Sequence, residues 1–168
     1  MIKFLSFLLI FTSFSFSNNI KYIQIFKAAS KASKYEIPKD LLIAIALSEN
    51  STFNKNTKVR NVNRTLDIGI MQINDIVRKE FNMSRKDMLN PHKNIFTATA
   101  HLKRFLSKKN GGLNWFNIGK YHSKTPTYKL AWVKRVKSKL SSLNPYLKIP
   151  GYSRCVTSAK KYKAKRFN

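Results

Sequence analysis

The chain holds one cysteine, five glycines and five prolines, and only seven carboxylates stand against thirty-three lysines and arginines in its 168 residues. Each scarcity removes a class of protein. A lone Cys155 rules out an intramolecular disulfide, so stability must come from a packed core, and the thiol is either free or an intermolecular partner. Thiolate metal sites go with it, and His92, His101 and His122 show no ligand spacing with one another or with Cys155, so no metal is expected. Gly111-Gly112 does not have the form of a phosphate loop, and no cofactor is expected. Beyond residue 17 no apolar run approaches the ~20 residues that a membrane span needs. The shortage of acids leaves a formal charge of +26, which attracts polyanions such as nucleic acid, anionic lipid or an anionic wall polymer. The cations run along the whole length, a distribution that fits a general lysine bias as well as a dedicated binding stripe.

What is present starts with a leader. Met1-Ile2-Lys3 gives a basic start, Phe4 to Phe14 is apolar apart from Ser and Thr, and Ser15-Phe16-Ser17 has a small-x-small cleavage pattern. This predicts an export signal over residues 1–17 and a mature chain of about 150 residues, enough for one domain with a proper core. An uncleaved anchor is the alternative. Export argues against nucleic acid as the everyday partner.

Apolar spacing then reads mostly as helix. Tyr22, Ile23, Phe26, Ala29 and Ala32 predict an amphipathic helix over roughly Asn19 to Tyr35. Pro38 restarts the chain into a second helix, from about Lys39 to Asn50, that is apolar on nearly every side and therefore central. Ser51 to Leu66 reads as a long loop or a short irregular hairpin. Further helices are expected from Asp67–Asn74 through Phe81, over Asn94 to Lys108 with Gly111 just past its end, over Leu113 to Tyr121, and over Tyr128 to Leu140. No strand pattern is convincing. The expected fold class is mainly α, a compact domain over residues 18–140. Residues 141–168, with seven Lys and Arg and no acid, form a basic C-terminal extension that is expected to end in a flexible tail from Lys160, with Cys155 an inert thiol within it.

Chemistry is best sought among the few acids. Glu36, Asp40 and Asp87 suit turns and helix starts, while Asp75 and Glu80 lie on a basic helix where ordinary surface pairs are expected. Glu49 has no such explanation. It closes the apolar run Leu41 to Ser48, and must either turn out to water or sit in a cleft. A carboxyl set against an apolar wall at a helix C-terminus is disfavoured in its charged form, as a general acid requires. Downstream, Gly69 permits a left-handed turn, Gln72 and Asn74 offer amide donors and acceptors, and Ile70, Met71 and Ile73 pack beneath them. That composition suits the wall of a carbohydrate cleft and equally a buried turn. Asp67 either caps the turn into Gly69 or faces Glu49 as a second carboxylate.

Four segments in order carry a resemblance. Leu42-Ile43-Ala44-Ile45-Ala46-Leu47-Ser48-Glu49, Asp67-Ile68-Gly69-Ile70-Met71-Gln72-Ile73-Asn74, Asn90-Pro91-His92-Lys93-Asn94-Ile95 and Ile118-Gly119-Lys120-Tyr121-His122-Ser123-Lys124-Thr125-Pro126 resemble the successive motifs of lytic transglycosylases with a soluble-transglycosylase, lysozyme-like domain. The similarity runs from about Ile20 to Leu140, and Asp67-Ile68-Gly69 and Tyr121-His122-Ser123-Lys124-Thr125-Pro126 are similar to the small branch that accompanies secretion and conjugation machines. The resemblance implies that Glu49 is the catalytic acid and base and that Met71, Gln72 and Tyr121 line a sugar cleft, with Asn74 beside them. It also implies glycan strands of peptidoglycan as substrate, a periplasmic location, secretion or conjugation apparatus proteins as partners, and a monomer. No specific nucleic acid is expected. The usual Glu-Ser-x-Phe-Asn is replaced by Glu49-Asn50-Ser51-Thr52-Phe53-Asn54, one residue longer, so either Asn50 or Ser51 takes the place of the serine beside the acid. Asp67 keeps a hydrolytic, lysozyme-like outcome open, and a wall-binding factor without catalysis is the remaining alternative.

Overall fold

The computed structural model describes residues 21–34 and 36–166, so the expected export signal lies outside the described residues. Helix α1 (21–32) lays Ile25, Phe26 and Ala29 on the core. Its end is tied to the next helix by buried hydroxyls: Ser30 Oγ donates to the Ile37 carbonyl at 2.8 Å, and Ser33 Oγ accepts from the Ile37 N–H at 3.2 Å. Pro38, extended at ψ 140°, then starts α2 (Lys39–Glu49). Six consecutive residues of α2, Leu41 to Ala46, are buried. Each fully buried Leu or Ile contributes roughly 1.5–3 kcal/mol, so this helix forms because it is enclosed, as its unbroken apolar sequence requires.

The chain next builds the short hairpin that was one of the two readings of Ser51 to Leu66, and a third strand, which the sequence did not announce, extends it into a sheet. Strands β1 (Lys58–Arg60), β2 (Leu66–Ile68) and β3 (Ile73–Asn74) pair antiparallel in that order. At two or three residues each they are too short to display a period of two, which corrects the expectation that strands are absent. Asp67 on β2 stands directly opposite Asn74 on β3, so their side chains share a face.

Helix α3 (Asp75–Glu80) begins at once, capped by Asn74, whose side chain accepts from the Ile76 N–H. Its first residue overturns the expectation of an ordinary surface pair: Asp75 is 5 % exposed. It accepts from Arg85, from Arg78 Nε at 2.6 Å and from the Leu66 N–H at 3.1 Å, joining α3, β2 and the loop after α3. The Arg85 guanidinium, with Arg78 behind it, holds this carboxyl well below the usual carboxylate range despite its burial. The sign of the linkage follows. A depressed folded-state pKa contributes stability above the unfolded-state value near ~4, and that stability is lost as pH falls through and below it. Urea unfolding between pH 7 and pH 3 should show a loss on the order of 1 kcal/mol that Asp75→Asn lacks. Asp87, lowered by Lys93 and Ser84 on the surface, titrates in the same window and is common to both proteins.

A 3-10 turn (Asp87–Leu89) leads to α4 (Pro91–Lys103), with Pro91 at the first helical turn and Asn90 as cap. It starts earlier and ends sooner than the sequence suggests, and Gly111, at φ 84°, terminates a separate 3-10 turn (Lys108–Asn110). Helix α5 (Trp115–Ile118) runs into a 3-10 turn (Gly119–Tyr121), and α6 (Pro126–Leu143) packs on α2 and buries Trp132, Val133, Val136 and Leu140, while its Lys129, also buried, sets its ammonium over the Phe116 ring.

The flexible tail expected from Lys160 is instead part of α7 (Tyr152–Arg166), which packs on α6. Cys155 and Ala159, one turn apart, are buried there. The thiol is therefore a core atom, and burial pushes its pKa up. A stripe of two small side chains is enough to seat a helix whose other faces are lysine-rich, and charge composition conceals it. The fold is mainly α, and among the described residues no helix is long and apolar enough to cross a membrane.

Candidate active site

Burial of α2 up to Ala46 delivers its last residue, Glu49, to the wall of an open cleft of about 930 Å³. The Glu49 side chain is 14 % exposed. Its Oε1 accepts from Trp132 Nε1 at 2.7 Å, which gives the indole of a fully buried Trp the partner it requires. His122 Nδ1 lies 3.6 Å from the same oxygen. The His122 ring stacks on Trp132 at 5.3 Å and 4°, and the Tyr121 ring at 5.8 Å and 26°.

The opposite wall comes from the sheet. Asp67, Gln72, Ile73 and Asn74 line it, with Asn61, Val62, Asn63 and Thr65 from the hairpin, and Ile76 and Val77 from α3. Asp67 Oδ1 accepts from Asn74 Nδ2 at 2.7 Å, a direct result of the β2–β3 register. Gln72 sits at φ 46°, a left-handed conformation that side-chain-bearing residues rarely adopt. The residue before it is clamped at both of its backbone polar groups: Asn94 Oδ1 accepts from the Met71 N–H at 2.8 Å, and Tyr121 Oη donates to the Met71 carbonyl at 2.9 Å. Gly69 makes room for the clamp, since a Cβ there would stand 2.6 Å from Asn94 Nδ2 and 2.5 Å from the Met88 carbonyl.

Burial, reinforced by the Glu49 and Asp67 charges, raises the Tyr121 phenol well above its usual pKa. It therefore stays a donor, committed to Met71. The floor is completed by His101 and Phe105, edge-to-face at 5.2 Å. Burial, with the Arg104 charge second, lowers the His101 pKa, and its Nδ1 has no partner among the described residues. Lys120 and Lys124 supply cations at the cleft.

Of the residues singled out from sequence, Glu49, Asp67, Gln72, Asn74 and Tyr121 converge on this cleft. Three others do not. Asn50 is buried and spends its amide on the Asn54 carbonyl at 2.7 Å and the Gly69 carbonyl at 3.4 Å. Ser51 is exposed and faces a separate groove beside Tyr22 and Phe53. Met71 is 1 % exposed, its side chain in the core, and it offers only its carbonyl to Tyr121. The two residues that approach the Glu49 Oε1 atom, Trp132 and His122, were not among the site residues the sequence singled out. Trp132 was discoverable, because it falls on the inward face of α6 with Lys129, Val133 and Val136 and carries a ring N–H that must be satisfied.

The walls offer amides, hydroxyls and aromatic faces around one carboxyl poised on a neutral donor, which suits acid chemistry on a neutral polyhydroxyl substrate. Among the described residues no cluster of three His, Cys, Asp or Glu is arranged to hold a metal ion. A family model described as Transglycosylase SLT domain matches residues 26–143. No curated protein and no solved structure gives a significant match.

Proposed function

Since the chain belongs to the transglycosylase SLT domain family, and is thus a lysozyme-like lytic transglycosylase of peptidoglycan, we propose that Glu49 performs both proton transfers at one glycosidic bond. The carboxyl proton of Glu49 passes to the oxygen linking N-acetylmuramic acid to N-acetylglucosamine. The C1–O bond breaks, and its electron pair stays on the departing oxygen. The muramyl C6 hydroxyl oxygen then attacks C1, and its proton goes to the Glu49 carboxylate. The product is a 1,6-anhydromuramyl end, the acid is regenerated, and no water is consumed.

The observation that supports this reading is the placement of Glu49, the final residue of a buried helix, held by an indole N–H in a cleft walled by amides and aromatic rings. Asp67 lines the same cleft, so a hydrolytic outcome, in which a second carboxylate orders a water, is the competing reading. Mass spectrometry of digested peptidoglycan separates them. Anhydro ends, each lighter by one water than the hydrolytic product, are expected. Reducing ends would mean hydrolysis, and a lack of fragments would leave a wall-binding role.

An exported, periplasmic enzyme fits the basic and apolar start of the chain. A charge of +26 would hold it on anionic wall polymers. Local wall opening for an envelope-spanning secretion or conjugation apparatus is the role that the Asp67-Ile68-Gly69 and Tyr121-His122-Ser123 segments suggest.

A further inference from the structure

Glu49 is held unevenly. Its Oε1 receives the Trp132 indole N–H at 2.7 Å and has His122 Nδ1 at 3.6 Å, whereas no hydrogen bond from the described residues reaches Oε2. The near-parallel stack on Trp132, at 4°, holds the plane of the imidazole. We propose that His122 is a positioning residue for the acid: its Nδ1–H, 3.6 Å from Oε1 and beyond hydrogen-bond reach in this resting geometry, closes on that oxygen as its second donor when substrate binds, which confines the transferable proton to Oε2.

The inference rests on Glu49 being the acid. Two donors on one oxygen favour negative charge there, so in the neutral acid the proton resides on the other oxygen. When that proton leaves for the glycosidic oxygen, the carboxylate gains from both donors at once. The gain grows along the reaction and appears in turnover rather than in substrate binding. His122 keeps its own proton throughout. It serves either as the imidazolium or as the neutral Nδ1–H tautomer, so the role does not depend on the Asp67, Lys120 or Lys124 charges that share the cleft.

Two substitutions separate the donor from the stacked ring. His122→Phe keeps the ring and removes the nitrogen. His122→Asn loses the ring but places an amide N–H close to where Nδ1 stands. The side chain is 34 % exposed, so both should fold. On purified glycan strands, His122→Phe should lower kcat by about 10- to 100-fold with KM within about twofold, the scale of losing one preorganised donor. His122→Asn should recover most of that loss. An unchanged kcat in His122→Phe, or equal losses in both variants, would overturn the proposal. Nitrogen NMR of the wild-type imidazole at neutral pH gives a reading independent of variants: a protonated Nδ1 is expected, and a bare Nδ1 with the proton on Nε2 would overturn it. Glu49→Gln in the same assay keeps the premise separate. An active Glu49→Gln removes the acid assignment, whereas an inactive one beside a fully active His122→Phe removes only the role of His122.

Discussion

Glu49→Gln should cost about 10²- to 10⁴-fold in glycan cleavage, the usual worth of a positioned general acid and base, while the melting temperature and sedimentation with peptidoglycan stay near those of the wild type. Gln has the same shape, and its amide oxygen can still accept the Trp132 N–H that the Glu49 carboxyl accepts at 2.7 Å. Core, stack and sheet are untouched. The loss should therefore appear in kcat with KM little changed, because the amide binds as the carboxyl does and transfers no proton. A variant that cleaves at the wild-type rate would move the acid to Asp67, the other carboxylate lining the cleft.

The largest effect on stability is expected at Asn94, far from any reacting atom. Asn94 is 1 % exposed; its Nδ2 donates to the Ile68 carbonyl at 2.9 Å and the Met88 carbonyl at 3.0 Å, and its Oδ1 accepts from the Met71 N–H at 2.8 Å. Asn94→Ala strips the buried Met71 N–H of its side-chain acceptor and takes one donor from each of the Ile68 and Met88 carbonyls, at roughly 1–3 kcal/mol for each group left unsatisfied. Those costs overlap, and a loss of about 3–5 kcal/mol in urea unfolding is the expected total. Asn94→Asp should be no better, because its carboxylate faces two carbonyls that it cannot donate to. Activity measured where Asn94→Ala is still folded should fall as well, since the clamp on the Met71 peptide is what holds Gln72 at φ 46°. A stability loss with full activity would show that the turn keeps its shape without Asn94.

The same residues show why sequence carried part of the site and not the rest. Glu49 was legible because an acid at the end of an apolar helix has few places to go, and the distinctive Asp67–Asn74 segment marked the facing wall. What escaped was every feature whose cause lies far along the chain. Asp75 looks like a surface acid until Arg85, ten residues away, folds back onto it. Met71 looks like a cleft residue beside Gln72, yet one side chain points into the core while the other meets the cleft. Asn50 and Ser51, adjacent to the acid in sequence, are carried away from it as the chain leaves α2. Trp132, eighty-three positions from Glu49, touches it directly. The strands were hidden by brevity, and α7 by lysines that describe its solvent faces and say nothing of Cys155 and Ala159 beneath.

The union of α2 and α6 carries a last consequence. The acid is on one helix and its indole donor on the other, and only the interlocking of their side chains sets the 2.7 Å between them. Advancing one helix along the other by a single residue would be a slip of ~1.5 Å, enough to part the pair. The two helices thus work as a vernier whose reading is the position of one carboxyl. Core substitutions that let them creep, such as trimming Ile45 or Val136, should detune catalysis at temperatures where the fold is still intact.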